Sequence, residues 1–258
     1  MTIVNGKEEI REDELKAYTL RSKHMFPELN KDEESTVIFE KRLSMSKSDN
    51  APNVIADALI FNESGNILGV EYKSETDSTK RLNKQLRAYS LVCNYVYVFV
   101  HDKHVPKTEE IMKRYNHQHV GIIAYIDFKG QITAGVYKRA SRSPYQSAYH
   151  ALNLLWKSEI LTVLGTLRYP EKHVDELGLN NMTPKANEGS LVGSGYWGRT
   201  YDGNMKKNQL IRNFIKWFGE EEAMKVLCDI FINNKMHPTR SIKLRHIINK
   251  EIPHVEEE

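Results

Sequence analysis

Cysteine is scarce. Cys93 and Cys228 are the two in 258 residues, too few for a disulfide framework, and both lie in apolar stretches that suit buried free thiols. No run of about 18 apolar residues occurs, so no transmembrane helix is expected. The N-terminus turns acidic at once (KEEIREDEL) and carries no apolar core of a signal peptide, so a cytoplasmic protein with no membrane partner is expected. Internal repeats and low-complexity tracts are lacking too. An excess of one charge is also missing: 37 Lys and Arg face 34 Asp and Glu, for a net charge of +3. That excludes a grossly basic nucleic-acid binder, although not a basic face.

The charge is unevenly spread. Residues 1–40 hold 6 basic and 10 acidic side chains, and the last eight hold 4 acidic and none basic. Residues 41–250 therefore carry 31 basic and 20 acidic groups, a net of +11. A basic body between acidic ends suits a polyanionic partner.

Hydrophobic periodicity predicts a helix over 7–25, a strand over 36–43, and strands over 54–61 and 67–74 joined at Glu63-Ser64-Gly65. A helix over 77–93 follows, capped by Asp77 or Ser78. Residues 95–100 (YVYVFV) form an unbroken apolar run of strand length, which predicts a central buried strand. Then come a helix over 107–115 and strands over 120–128 and 131–138 that turn at Lys129-Gly130. A long amphipathic helix is expected over 146–165, helices over 205–218 and 220–233, and a short one over 240–249, with the Gly-, Asn- and Ser-rich stretch 170–205 between. The expected fold class is α/β, a mixed sheet flanked by helices over 1–142, followed by a mostly helical region over 143–258 that suits nucleic-acid binding.

Chemistry concentrates at Asp57 and, after thirteen intervening residues, at Glu71-Tyr72-Lys73. Two carboxylates are hard oxygen ligands for Mg²⁺, and a nearby lysine can orient water or neutralise a phosphoryl transition state. Side chains alternate along a strand, so Glu71 and Lys73 share a face. Asp57 joins that face only if the hairpin loop has an odd number of residues. A three-residue loop at Glu63-Ser64-Gly65 pairs Asn62 with Asn66 and Asp57 with Glu71, and it places glycine at the position that favours a left-handed backbone. The shared face is then Asp57, Leu59, Phe61, Ile67, Gly69, Glu71 and Lys73, charged at one end and apolar at the other.

These residues, with IREDELKAYTL, ADALIF, GVEYKSETDSTKRLNKQLRAYS and YVYVFV, resemble the PD-(D/E)XK nuclease superfamily. Within it the chain is similar to a Sce-type family of bacterial and phage proteins. The superfamily core is a helix, a three-stranded meander, a helix and another strand. The resemblance implies Asp57, Glu71 and Lys73 as a catalytic trio, Glu40 as an additional acid, and Gln85 and, more weakly, Arg81 facing the site from the following helix. It implies Mg²⁺ or Mn²⁺ as cofactor, held by Asp57, Glu71 and the Tyr72 carbonyl. Ala56 stands where the superfamily name has proline.

Read from spacing, Arg81 and Gln85 share one side of that helix, while Lys80, Lys84 and Arg87 form a basic stripe. Lys80, Arg81 and Lys84 are the candidate phosphate contacts. The expected activity is metal-dependent hydrolysis of DNA phosphodiester bonds, with endonucleolytic and exonucleolytic modes both open and a homodimer as the assembly that would cut two strands. The alternatives are a catalytically silent fold that binds DNA or protein, and a partner-dependent phage or defence nuclease acting on RNA.

Other signals carry less. Gly193 to Gly198 match G-x-G-x-x-G without a strand-turn-helix context. His101 and His104, and His117 and His119, fit no zinc template. Lys206, Lys207, Arg212 and Lys216, then Arg240, Lys243, Arg245, His246 and Lys250, could grip a polyanion, while Trp156, Phe214, Trp217 and Phe218 read as core.

Overall fold

The computed structural model describes residues 3–4, 7–8, 10–46, 49–168, 205–233 and 242–243. Strands β1 (Ile3–Val4) and β2 (Lys7–Glu8) pair with each other, so helix α1 (Glu12–Arg21) starts later than the periodicity predicts. The main sheet contains β3 (Ser35–Leu43), β4 (Val54–Asn62), β5 (Ile67–Lys73), β6 (Tyr95–His101), β7 (Gly121–Phe128) and β8 (Gln131–Lys138). Helix α2 (Leu82–Val92) links β5 to β6, and α3 (Val105–Arg114) links β6 to β7. The spatial order is β8-β7-β6-β5-β4-β3, with β9 (Ile242–Lys243) on the β3 edge. The meander β3–β4–β5 and the final pair β7–β8 are antiparallel, while β5–β6 and β6–β7 are parallel, as two helical crossovers require.

The mixed sheet is flanked by helices on both faces. Alternation along β4 and β5 sends Leu59, Phe61 and Ile67 to one core, and Ala58, Ile60, Leu68, Val70 and Tyr72 to the other. The second core is closed by α1 and the turn after it through Leu15, Met25, Phe26 and Leu29. The first is closed by α2, α3 and the C-terminal helices α4 (Ala148–Leu152), α5 (Lys157–Arg168), α6 (Lys207–Phe218) and α7 (Glu220–Ile232).

Those C-terminal helices share a hydrophobic core with the sheet. The Phe231 ring on α7 stacks on Phe61 of β4, with centroids 4.4 Å apart. Phe231→Ala is expected to cost about 3–5 kcal/mol, read as a lower urea midpoint in a single transition. A second, separate unfolding transition would show that the helices fold apart from the sheet.

Three expectations are corrected. The helix predicted over 146–165 is broken: α4 ends at Leu152, and α5 begins anew where the buried Glu159 carboxylate accepts the Trp156 N–H at 2.5 Å. Trp156 therefore sits at the break and is exposed instead of core. Phe214 is buried as expected. Within the helix expected over 240–249, Ile242–Lys243 pairs instead as a strand with Thr36 and Val37. The glycine-rich motif at 193–198 and the basic residues Arg240, Arg245, His246 and Lys250 lie outside the described residues. Both cysteines are free and buried, Cys93 at the end of α2 and Cys228 in α7.

Candidate functional site

The site forms where β4 and β5 part. Gly65 has φ +80°, and Asn62 N–H donates to Asn66 O at 3.2 Å across the three-residue loop. The register then runs from Phe61↔Ile67 to Ala58↔Val70, as the loop length predicts. The ladder stops there, one residue short of Asp57 and Glu71.

Two side chains bridge the opening. Asp57 Oδ2 accepts the Tyr72 N–H at 2.9 Å. The Tyr89 hydroxyl, from α2, accepts the Asp57 N–H at 2.7 Å and donates to Val70 O at 3.3 Å. Tyr89 thus satisfies backbone groups of both strands that the divergence leaves unpaired. Its ring lies against Gly69, where an added Cβ would sit 2.3 Å from Tyr89 Cδ1 and 2.9 Å from Cys93 Sγ. Gly69→Ala must displace Tyr89, with an expected cost of about 1–3 kcal/mol and a loss of the contact to Asp57. The check is a urea midpoint together with the Tyr89 hydroxyl signal in NMR. An unchanged midpoint would contradict the contact.

Glu71 is wholly buried, and its Oε1 is ion-paired with Lys73 Nζ at 2.5 Å. Its other oxygen, Oε2, is buried with no hydrogen-bond partner. Burial and then the neighbouring Glu71 charge push the Asp57 carboxyl up to about 8. Burial raises Glu71 as well, against the pull of Lys73. Burial, with the charges of Glu71 and Asp57, holds the Tyr89 hydroxyl protonated. Two carboxylates forced together at neutral pH are stabilised by a cation between them. A divalent metal would meet that need, with Glu71 Oε2, which accepts no hydrogen bond, as a candidate donor atom. Among the described residues no group of three or more His, Cys, Asp or Glu side chains gathers to hold a metal. Any ion at this pair must therefore complete its shell from backbone, water or substrate.

The structure brings Asp57, Glu71 and Lys73 together, with the Tyr72 backbone beside Asp57. The Tyr72 ring turns to the opposite face, where its hydroxyl meets Thr19 Oγ1 of α1 at 2.9 Å. Gln85 lies one helical turn before Tyr89 on the same side of α2, and its Oε1 is buried without a partner. Lys80, Arg81 and Lys84 are exposed at the start of α2, where Ser78 Oγ accepts the Lys80 N–H.

Glu40 is not gathered with the pair. It has φ +54°, the β3–β4 register passes over it, and its exposed carboxylate accepts from Lys16 Nζ on α1 at 3.0 Å. The left-handed backbone breaks the strand's alternation, and the lysine supplies the alternative partner. Glu12 shares Lys16 at 2.8 Å, and its charge acts on Asp57. Glu12 and Tyr89 are neighbours of the site that spacing in the sequence does not single out. Gly69, a glycine inside a strand, is the one sequence signal for Tyr89, because it marks a close approach.

Fold and site together define an α/β protein with a buried and a half-buried carboxylate and a lysine at the fork of an antiparallel hairpin. The chain belongs to the bacteriophage P4 protein cII family, whose profile matches residues 6–188. No curated protein matches it. Among solved structures it is similar to the SPO1766 protein of unknown function from Silicibacter pomeroyi. That similarity has a TM-score of 0.32 at 14% identity, over 54% of this chain and 83% of that one.

Proposed function

We propose that this protein is a metal-dependent nuclease that hydrolyses DNA phosphodiester bonds. The observation that carries the proposal is the half-buried Asp57 beside the buried Glu71, with an unpartnered Glu71 oxygen and with Lys73 locked beside it. Such a cluster is costly to fold unless it has a task. The order α1, β3–β4–β5, α2, β6 supports the reading, because it is the order the nuclease resemblance implies. The phage family it belongs to is compatible with it.

Asp57 and Glu71 are the residues to hold Mg²⁺ or Mn²⁺, with the Tyr72 backbone adjoining. The ion, when bound, supplies a Lewis acid and lowers the pKa of water. The chain's own part is to hold geometry. Tyr89 and the Tyr72 N–H fix Asp57, and the ion pair aims Lys73 towards the carboxylates. Gln85 offers a buried acceptor one turn away, and Lys80, Arg81 and Lys84 offer exposed cations for phosphates. The Glu12–Lys16–Glu40 chain borders the site on the α1 side.

The test is purified protein with plasmid, linear, branched and single-stranded DNA, and with RNA, in Mg²⁺ or Mn²⁺. Cleavage of DNA that Glu71→Gln abolishes is the expected result. Binding of DNA without cleavage of any substrate would replace the proposal with a binding role. Among the described residues no helix is long and apolar enough to cross a membrane.

A further inference from the structure

A cleft opens on the other flank of α2, with a volume of about 340 Å³, within the range that small ligands occupy. Asn83 and Arg87 line it from α2, and Tyr115 and His117 from the segment after α3. Tyr145 lines it from the chain before α4. At 100° per residue, Asn83 and Arg87 stand nearly opposite Gln85 and Tyr89 on the helix, with Lys84 and then Arg81 between them. The exposed arc of α2 therefore runs from this cleft to the carboxylate site.

The walls are preset. His117 is buried, and its Nε2 lies 2.9 Å from Asn83 Oδ1. That oxygen only accepts, so Nε2 carries the proton. Burial and the Arg87 charge keep the ring neutral. Nδ1 is then a bare acceptor, and it is buried with no partner. Tyr115 and Tyr145 are large aromatics left 45% and 43% exposed beside it. Asn116 Nδ2 donates to the Tyr145 hydroxyl at 2.9 Å and fixes that ring. Arg87 is exposed, whereas the cleft's acid, Asp49, already accepts the Ser46 N–H and pairs with His150. The cleft thus offers two partly exposed tyrosine rings and a cation.

We infer that this cleft binds a nucleotide. The base lies against the tyrosines, and the phosphate meets Arg87. Stacked, unpaired bases are recognised in this way. The inference rests on the nuclease reading for one point, the source of the nucleotide: an unpaired base of the substrate strand that crosses α2 over Lys84 and Arg81. A free mononucleotide has the same chemistry.

The test is titration of the full chain, without divalent metal, with AMP, ribose 5-phosphate and a short oligoadenylate. AMP is expected to bind, with the baseless sugar phosphate about tenfold weaker or more. Arg87→Ala, at an exposed position that leaves folding intact, and Tyr145→Ala are expected to weaken AMP by a similar factor. Displacement of AMP by the oligonucleotide identifies a strand as the source, and failure to displace identifies a free nucleotide. Absence of saturable AMP binding, or equal binding of AMP and ribose 5-phosphate, or AMP binding unchanged in Arg87→Ala, overturns the inference. Asp57→Asn separates the two readings: it should bind AMP as the wild type does, and wild-type cleavage by that variant would remove the nuclease reading alone.

Discussion

Lys73→Ala is expected to lower metal-dependent DNA cleavage by about a hundredfold or more, the scale at which a preorganised charge acts on a transition state. The same substitution strips the buried Glu71 of its 2.5 Å partner. Breaking a buried pair from one side costs about 3–5 kcal/mol, so a fall in stability accompanies the loss of activity. The two effects are separable. A Glu71→Gln, Lys73→Met double variant replaces both charges with neutral groups of similar size. It is expected to recover most of the stability, because burying an ion pair gains little over burying neutral side chains. It should recover none of the cleavage. Both effects are read by a plasmid nicking assay beside urea denaturation. Cleavage by Lys73→Ala at the wild-type rate would remove the lysine from the mechanism.

Asp57→Asn is expected to abolish cleavage while raising the melting temperature of the metal-free protein at pH 8, by on the order of 5 °C. The asparagine oxygen can still accept the Tyr72 N–H, so the local bond survives. What is removed is a carboxylate whose proton is held up to about 8 by burial and by Glu71. In the unfolded chain Asp57 ionises near pH 4, at about 3.9. Between those values the folded protein keeps a proton that the unfolded chain has released. Raising the pH through that window therefore favours unfolding. The wild type should lose stability from pH 5 to pH 8 more steeply than Asp57→Asn, and the raised Glu71 adds in the same direction. Thermal melts at several pH values in chelator check this. Parallel pH profiles for the two proteins would show that Asp57 ionises normally.

The hairpin that builds the site was legible because one feature fixes it. A three-residue loop ending in Gly65 sets the β4–β5 register, and the register decides which face Asp57 shares with Glu71 and Lys73. YVYVFV was equally plain, since a continuous apolar run fits a strand buried on both faces. Where the ladder ends was not legible. The fork depends on the Tyr89 hydroxyl reaching across from α2, a contact set by packing and hinted at only by Gly69. Glu40 was implied by resemblance alone, and neither its left-handed backbone nor its pairing with Lys16 on α1 could be read from the sequence. The break between α4 and α5 escaped periodicity for a similar reason, because a buried glutamate can start a new helix inside an amphipathic pattern. Net charge said least of all. Its near-balance averages an acidic beginning and end with a basic body, and the three charges that matter most lie together at one fork.

The most direct measurement is Mn²⁺ binding followed by electron paramagnetic resonance, on the wild type and on Glu71→Gln, with no substrate present. One ion per chain in the wild type, lost or weakened at least about tenfold in the variant, is the predicted result. Equal Mn²⁺ binding by the two proteins, or none by either, would contradict a metal site at Asp57 and Glu71.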